Sequence, residues 1–259
     1  MQRLISAFVG AFIILLAIWY AGAPLLFLLG VLVIFGMGEL VDILFRIGFR
    51  PSLVLAEAGG LILLVGAYFN PAGYPGPAII VILFINLITG VLFYPVYHIR
   101  DLAVTIFMPL YIGLLYYIYL ISTLETGWVC LIFLFAATWA CDTFAFLIGR
   151  NFGKIKFVPA LSPKKTFEGT VAGIIGSVAV GCVFAAVYPF LMVYTIVLLS
   201  LLLGVAAFLG DLMASSLKRQ AGVKDSGRMI PGHGGILDRF DSLLFTAPLV
   251  YYFAVFLIR

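Results

Sequence analysis

Nine long apolar runs, separated by short polar breaks, leave this chain few folds to choose from. A helix needs around 20 residues to cross a bilayer. Runs of about that length lie near 4–23, 24–45, 52–69, 77–97, 102–121, 127–148, 168–188, 190–210 and 242–258. Inside a membrane each backbone N–H and C=O must find its partner within the segment, which selects helices. Internal breakers such as Pro109 and Gly204 are tolerated there. Composition points the same way: 64% of residues are hydrophobic and 10% are charged, against roughly a quarter charged in a soluble domain. A soluble globular chain is thereby excluded. The expected fold class is all-α, a polytopic transmembrane helical protein with about nine spans.

The first run follows Arg3 and extends to about Ala23. It is longer than a signal-peptide core of roughly 7–15 residues, and further runs follow it, so it reads as a retained helix. With nine spans and a cytosolic N-terminus, every basic residue except Arg259 falls on the cytosolic side. That asymmetry is the positive-inside pattern, and it supports both the count and the orientation. The net charge of +4 then describes a basic membrane face, not a nucleic-acid binder. Cys130, Cys141 and Cys182 all lie in apolar runs; they fit no zinc spacing and read as small buried hydrophobes.

Organisation follows from the breaks. Residues 1–121 read as N-terminal transmembrane helices, and 122–259 as a catalytic transmembrane region with cytosolic loops at 149–167 and 211–241. The first loop carries five basic residues and no acid. The second holds nine of the chain's 26 Lys, Arg, Asp and Glu residues and five glycines. Chemistry belongs in these two segments.

Asp211 ends the eighth run, and Asp238 and Asp241 begin the ninth, three apart on one helical face. The spacing alone admits two readings: helix caps and local ion pairs, or a Mg²⁺ site of carboxylates completed by substrate phosphates. Asp142 lies inside the sixth run, roughly 10 Å deep at 1.5 Å per residue. A carboxylate at that depth is costly and marks a candidate functional site, or else a structural pair. Glu39 and Asp42, near the end of the second run, and Glu57 in the third are read as structural, the first two snorkelling to the interface.

Lys218, Arg219, Lys224 and Arg228 can neutralise a triphosphate, Arg as a bidentate fork and Lys as a mobile point charge. The turn Pro231-Gly232-His233-Gly234-Gly235 lets backbone approach a ligand closely and can form an anion-binding nest. In the first loop, Ser162-Pro163-Lys164-Lys165-Thr166 precedes Glu168, which opens the seventh run at its positive helix end. Lys164 and Lys165 also serve as topology anchors.

At these residues the sequence resembles the phosphatidate cytidylyltransferase (CDP-diacylglycerol synthase) family. The pattern is carried by Ser215, Leu217, Lys218, Arg219, Lys224, Asp225, His233, Gly234, Gly235, Ile236, Asp238, Arg239 and Asp241, all at matching spacing. Asp142-Thr143-Phe144-Ala145-Phe146 with Gly149-Arg150 is similar to the family too, as is Ser162 to Thr166 with Glu168-Gly169. The likeness covers roughly 138–241; the first half matches only in being hydrophobic and multi-spanning. One departure stands out: many relatives carry an acid just before the signature serine, where this chain has Ala214.

The resemblance implies that CTP and phosphatidate give CDP-diacylglycerol and pyrophosphate, for phospholipid biosynthesis. It implies Asp211, Asp238, Asp241 and Asp142 on Mg²⁺, and leaves open whether a second cation joins. Asp211, Asp238, Asp241, Lys218, Arg219 and Lys224 are then the catalytic set. Ser215, Asp225, His233, Gly234, Gly235, Arg239, Lys164, Lys165 and Asp142 would bind substrate. A phosphomonoester has a second pKa near 6, so phosphatidate is largely dianionic at neutral pH and needs no general base. The work left is alignment and neutralisation of charge. The resemblance also implies a homodimer, which the residues do not require, and a place in the bacterial inner (plasma) membrane with the active site facing the cytosol. A transporter would instead spread charge near the midplane and show internal repeats, neither of which is visible. A CTP-dependent lipid kinase would share the substrates and differ in its products.

Overall fold

A computed structural model describes residues 2–70, 75–188, 192–227, 229 and 234–257. Among these the chain is helical throughout apart from short loops. The helices are α1 (Gln2–Tyr20), α2 (Gly22–Ile47), α3 (Leu53–Phe69), α4 (Gly76–Leu92), α5 (Ile99–Ile112), α6 (Tyr116–Ser122), α7 (Gly127–Phe152), α8 (Phe167–Val187), α9 (Val193–Gln220) and α10 (Leu237–Leu257). A 3₁₀ turn over Gly113–Leu115 joins α5 to α6 without a break. Pro109, inside α5, has no N–H to give the preceding turn. Among the described residues five segments are long and apolar enough to cross a membrane: Gly22–Ile47, Ile99–Ser122, Gly127–Phe152, Phe167–Val187 and Val193–Gln220. Phe8–Tyr20, Leu53–Phe69 and Gly76–Leu92 are apolar but shorter. Several long apolar helices mark an integral membrane protein.

The chain divides into two compact units, Met1–Leu124 with Leu217–Arg239, and Glu125–Ser216 with Phe240–Arg259. In the first, α3 packs against α2, α4, α5 and α6. Two adjacent glycines make this close approach feasible. A side-chain carbon at Gly59 would lie 2.9 Å from Pro109, and one at Gly60 would lie 2.6 Å from Val33. Small residues let helix backbones close up where lipid tails offer no hydrophobic drive. Asp101, 2% exposed, accepts the backbone N–H of Arg50 at 2.7 Å, and Thr105 accepts that of Ser52 at 3.1 Å. These two side chains fasten the α2–α3 turn to α5.

In the second unit α7 and α8 lie closely together along Gly149, Gly169 and Gly173. A side-chain carbon at Gly173 would meet the Cys141 carbonyl at 2.8 Å. Buried hydroxyls tie the remaining helices. Ser177 donates to the Ser200 carbonyl at 2.9 Å, and Thr138 to Thr246 at 3.3 Å. On α9, Gly210 abuts the backbone carbonyl of Asp241 on α10.

Several boundaries differ from the sequence reading: α4 ends at Leu92, short of the expected 97, and α10 begins at Leu237, ahead of the expected 242. The loops expected to begin at 149 and 211 begin later, because α7 runs to Phe152 and α9 to Gln220. Hydropathy falls where charge appears, whereas a helix stops where its backbone is capped. α9 is capped at Gly222, whose φ of +68° is the left-handed conformation glycine adopts without strain. The Gly222 N–H reaches the Arg219 carbonyl at 3.1 Å and the Val223 N–H that of Lys218 at 2.9 Å. Asp211, Ser215 and Lys218 are therefore helical residues.

Candidate active site

In the first unit the segment after α9 folds back on itself and is held by two carboxylates. Lys218, 8% exposed, places its ammonium 2.5 Å from Asp238 Oδ1. The other Asp238 oxygen accepts the backbone N–H of Ser226 at 2.8 Å and of Gly235 at 3.0 Å. Burial alone would raise this carboxyl's pKa. The Lys218 ammonium and the two N–H donors outweigh burial and hold it below its ordinary value. Asp238 stands ahead of the apolar run 242–258.

The second carboxylate comes from α2. Glu39, 6% exposed, accepts Ser226 Oγ at 2.9 Å and the N–H groups of Ile236 and Leu237 at 2.8 and 2.9 Å. Those N–H groups open α10, where a helix leaves its first donors without intrahelical partners. One to two turns further along α2, Asp42, Ile43 and Arg46 line a cavity of about 630 Å³ with Val223, Lys224, Asp225, Ser226 and Gly227. Lys224, Arg219 and Arg239 are exposed, and Arg219 also donates to the Val223 carbonyl at 3.0 Å.

In the second unit the other lysine segment is a tight loop. Phe167 donates its N–H to the Ile155 carbonyl at 2.9 Å, and Phe157 to that of Lys165 at 3.2 Å. Thr166 caps α8 through the Gly169 N–H, at 3.2 Å. Ser162 closes the turn before it with its carbonyl, accepting the Lys165 N–H at 3.2 Å. Both oxygens of Glu168 accept the Ile155 N–H. The loop so formed delivers Lys165 to Asp211, 2.5 Å from Oδ2. Ser215, one turn on, donates to Asp211 Oδ1 at 3.3 Å. The Lys165 ammonium also stands 4.9 Å from the centre of the Phe208 ring. Lys164 is exposed.

Asp241 is 7% exposed; it accepts its neighbour Ser242's N–H at 2.8 Å. Asp211 follows Gly210, the residue that touches the Asp241 backbone. Asp142 is exposed on α7, and Cys141 beside it is within electrostatic reach of Asp142, Lys165 and Asp211. His233, with Arg228, Pro231 and Gly232, lies outside the described residues; Gly234 and Gly235 are described.

Among the described residues no three His, Cys, Asp or Glu side chains gather into a metal-binding group. Mg²⁺ needs only one or two carboxylates, with phosphates and water completing its shell. The donors present are hard carboxylate oxygens, and Asp211 and Asp238 each already carry an ammonium at ion-pair distance. That donor set suits such an ion. Glu39 is the residue that reading the sequence undervalued. The expected snorkelling does not occur: the side chain is buried and bonded to the loop. Its signal was present as an acid within an apolar run, with Asp42 and Arg46 at helical spacing behind it.

The sequence model of the Cytidylyltransferase family matches residues 1–257. The chain is 50% identical over 135 residues to a phosphatidate cytidylyltransferase of Synechocystis sp., covering 51% of this chain and 45% of that protein. It is 42% identical over 151 residues to one of Staphylococcus saprophyticus, covering 58% of each. Over these stretches the chain spans about half the length of the relatives it matches. With a phosphatidate cytidylyltransferase of Staphylococcus aureus (strain COL) the identity is 32% over 252 residues, 96% of both chains.

Proposed function

Because the chain belongs to the cytidylyltransferase family, we propose that it transfers the cytidylyl group of CTP to phosphatidate, giving CDP-diacylglycerol and pyrophosphate. A phosphate oxygen of phosphatidate attacks the α-phosphorus of CTP, and the bond from that phosphorus to the bridging oxygen breaks. The dianionic lipid phosphate needs no base, so the protein's work is to align two polyanions and offset their charge. One observation carries the reading: a loop rich in cations and glycines is closed by the Lys218–Asp238 pair beside a cavity lined by Arg46 and Lys224.

Lys218, Arg219, Lys224 and Arg239 bind phosphate groups, with Lys164 and Lys165 supplying charge from the other loop. The turn of His233, Gly234 and Gly235 seats the nucleotide, and Ser215 and Asp225 orient its neighbours. Asp211, Asp238 and Asp241, with Asp142, hold Mg²⁺, and a second cation is compatible with this many carboxylates. When bound, Mg²⁺ offsets negative charge on the phosphates. Nine spans, a cytosolic N-terminus and a cytosol-facing site in the bacterial inner membrane suit the substrates, since CTP is soluble and phosphatidate lies in the leaflet. The basic residues crowded on one side support that orientation. A homodimer is part of the same reading.

The test is turnover by the purified, detergent-solubilised protein given labelled CTP, phosphatidate and Mg²⁺. CDP-diacylglycerol and pyrophosphate are expected, with Asp241→Ala lowering the rate by about 10²–10³-fold, the scale of losing one electrostatic contact to the transition state. Release of CDP would make the protein a lipid kinase. No product from any lipid phosphate, by folded protein, would end the enzyme reading.

A further inference from the structure

We propose that Glu39 is a positioning residue for catalysis, the clasp by which α2 sets the shape of the phosphate-binding loop. The proposal rests on the transferase reading above but is carried by its own geometry. A carboxylate within an apolar helix is expensive unless its oxygens are fully occupied. Here they are occupied by three donors, from the loop and the first residue of α10: Ser226 Oγ, Ile236 N–H and Leu237 N–H, at 2.8–2.9 Å. The Ile236 N–H finds its partner on α2, in a residue 197 positions away.

The glycine pattern of the loop fits the same cause. A side-chain carbon at Gly227 would collide with the Glu39 carboxylate, and one at Gly235 would collide with both that carboxylate and Ser226 Oγ. Both glycines are thus bare where Glu39 comes in. Asp238 binds the same stretch from inside, taking the N–H groups of Ser226 and Gly235 while Glu39 takes the Ser226 hydroxyl. Ser226 is consequently fixed at two atoms by two carboxylates. It and Gly227 form the cavity wall together with Lys224 and Asp225, and α2 continues past Glu39 to line the same cavity with Asp42 and Arg46. One helix face therefore both fastens the loop and faces the space beside it. Glu39 touches no reacting atom; it acts through Lys224, Asp225 and Asp238.

Glu39→Gln is nearly isosteric but turns an NH₂ toward N–H donors. Groups that orient a site's ligands cost about 10–100-fold when lost. In Glu39→Gln we expect kcat to fall and KM for CTP to rise by roughly tenfold each on that scale. Glu39→Asp should recover part of both. A defect confined to stability would shrink the active fraction and leave KM unchanged, so an unchanged KM with unchanged kcat per folded molecule overturns the proposal. The Gly227→Ala substitution adds a second arm. It should impair the wild type yet cost almost nothing further in Glu39→Ala, where the methyl group meets no carboxylate; additive losses count against the clasp. Should the Glu39 variants fail to fold, Ser226→Ala removes one of the three bonds, and an unaltered KM for CTP there also overturns it. Amide exchange separates this proposal from the reaction itself. Ile236 and Leu237 should both be protected in the wild type, and in Glu39→Gln, which keeps one accepting oxygen, at least one of them should be exposed even if the protein turned over no CTP; retained protection of both would show that the clasp is not what holds them.

Discussion

Two lysine–aspartate pairs stand in different units of this protein, and they are built for different duties. Lys218–Asp238 is closed in: both side chains are 10% exposed, and Asp238 spends its second oxygen on two backbone N–H groups. Lys165–Asp211 is open on the carboxylate side: the Lys165 ammonium is buried, but the Asp211 side chain is 35% exposed, and Ser215 donates to it at a longer 3.3 Å. Spacing differs as well. Lys218 and Asp238 bracket a single loop, so their contact fixes that loop's closure. Lys165 arrives from a separate, independently capped turn. A closed pair costs much to break because each charge is left buried without its partner, whereas an open one is worth little by itself and can exchange its cation for another.

Removing the lysines sharpens that contrast most. Lys218→Met leaves the buried Asp238 without its ammonium, on two backbone donors alone, and should destabilise the protein by about 3 kcal/mol, read by denaturation in detergent. Lys165→Met should cost under about 1 kcal/mol. Equal losses would break the comparison.

Acid tests the closed pair more gently. The depressed pKa of Asp238 means the folded state binds its proton less readily than the unfolded chain. Its contribution is present above the unfolded carboxyl value of about 3.9 and is lost as pH falls through the lower folded value. Amide protection at Ser226 and Gly235 should therefore persist from neutrality to about pH 4 and fade only below. Asp238→Ala, which removes the acceptor, should abolish that protection at every pH. Loss of protection already at pH 6 in the wild type would contradict the assignment.

The smallest effect concerns the turn that delivers Lys165. Thr166→Ala removes the cap of α8 and should cost about 1 kcal/mol, with turnover falling less than in Asp241→Ala. A larger loss of activity than of stability would show that Lys165 placement depends on this cap.

Much of this architecture was written locally. An apolar run of membrane-crossing length dictates a helix by backbone accounting alone, and each described helix overlaps one of the runs visible in the chain, α5 and α6 sharing one. The signature from Ser215 to Asp241 marks one loop as chemically distinct, since cations, glycines and acids at short range are a local pattern. Helix ends were less legible: charge marks where hydropathy falls, yet α9 continues through Asp211 to Gln220 and stops at the Gly222 cap. The partner of each lysine was not legible either, because both pairs join residues 20 or more positions apart.

What the sequence determined by itself is the helical class, the apolar segments and the family-like loop, all consequences of composition and short-range spacing. What only the tertiary structure decided is which donors each acid binds. Glu39, Asp42 and Glu57 look alike as isolated acids among apolar residues, and nothing near Glu39 in the chain mentions Ser226 or Ile236. Their contact across 187 and 197 residues exists because the α2 backbone passes two bare glycines closely enough for a carboxylate to reach three donors. That proximity is set by packing, and packing leaves no local trace in a string of residues.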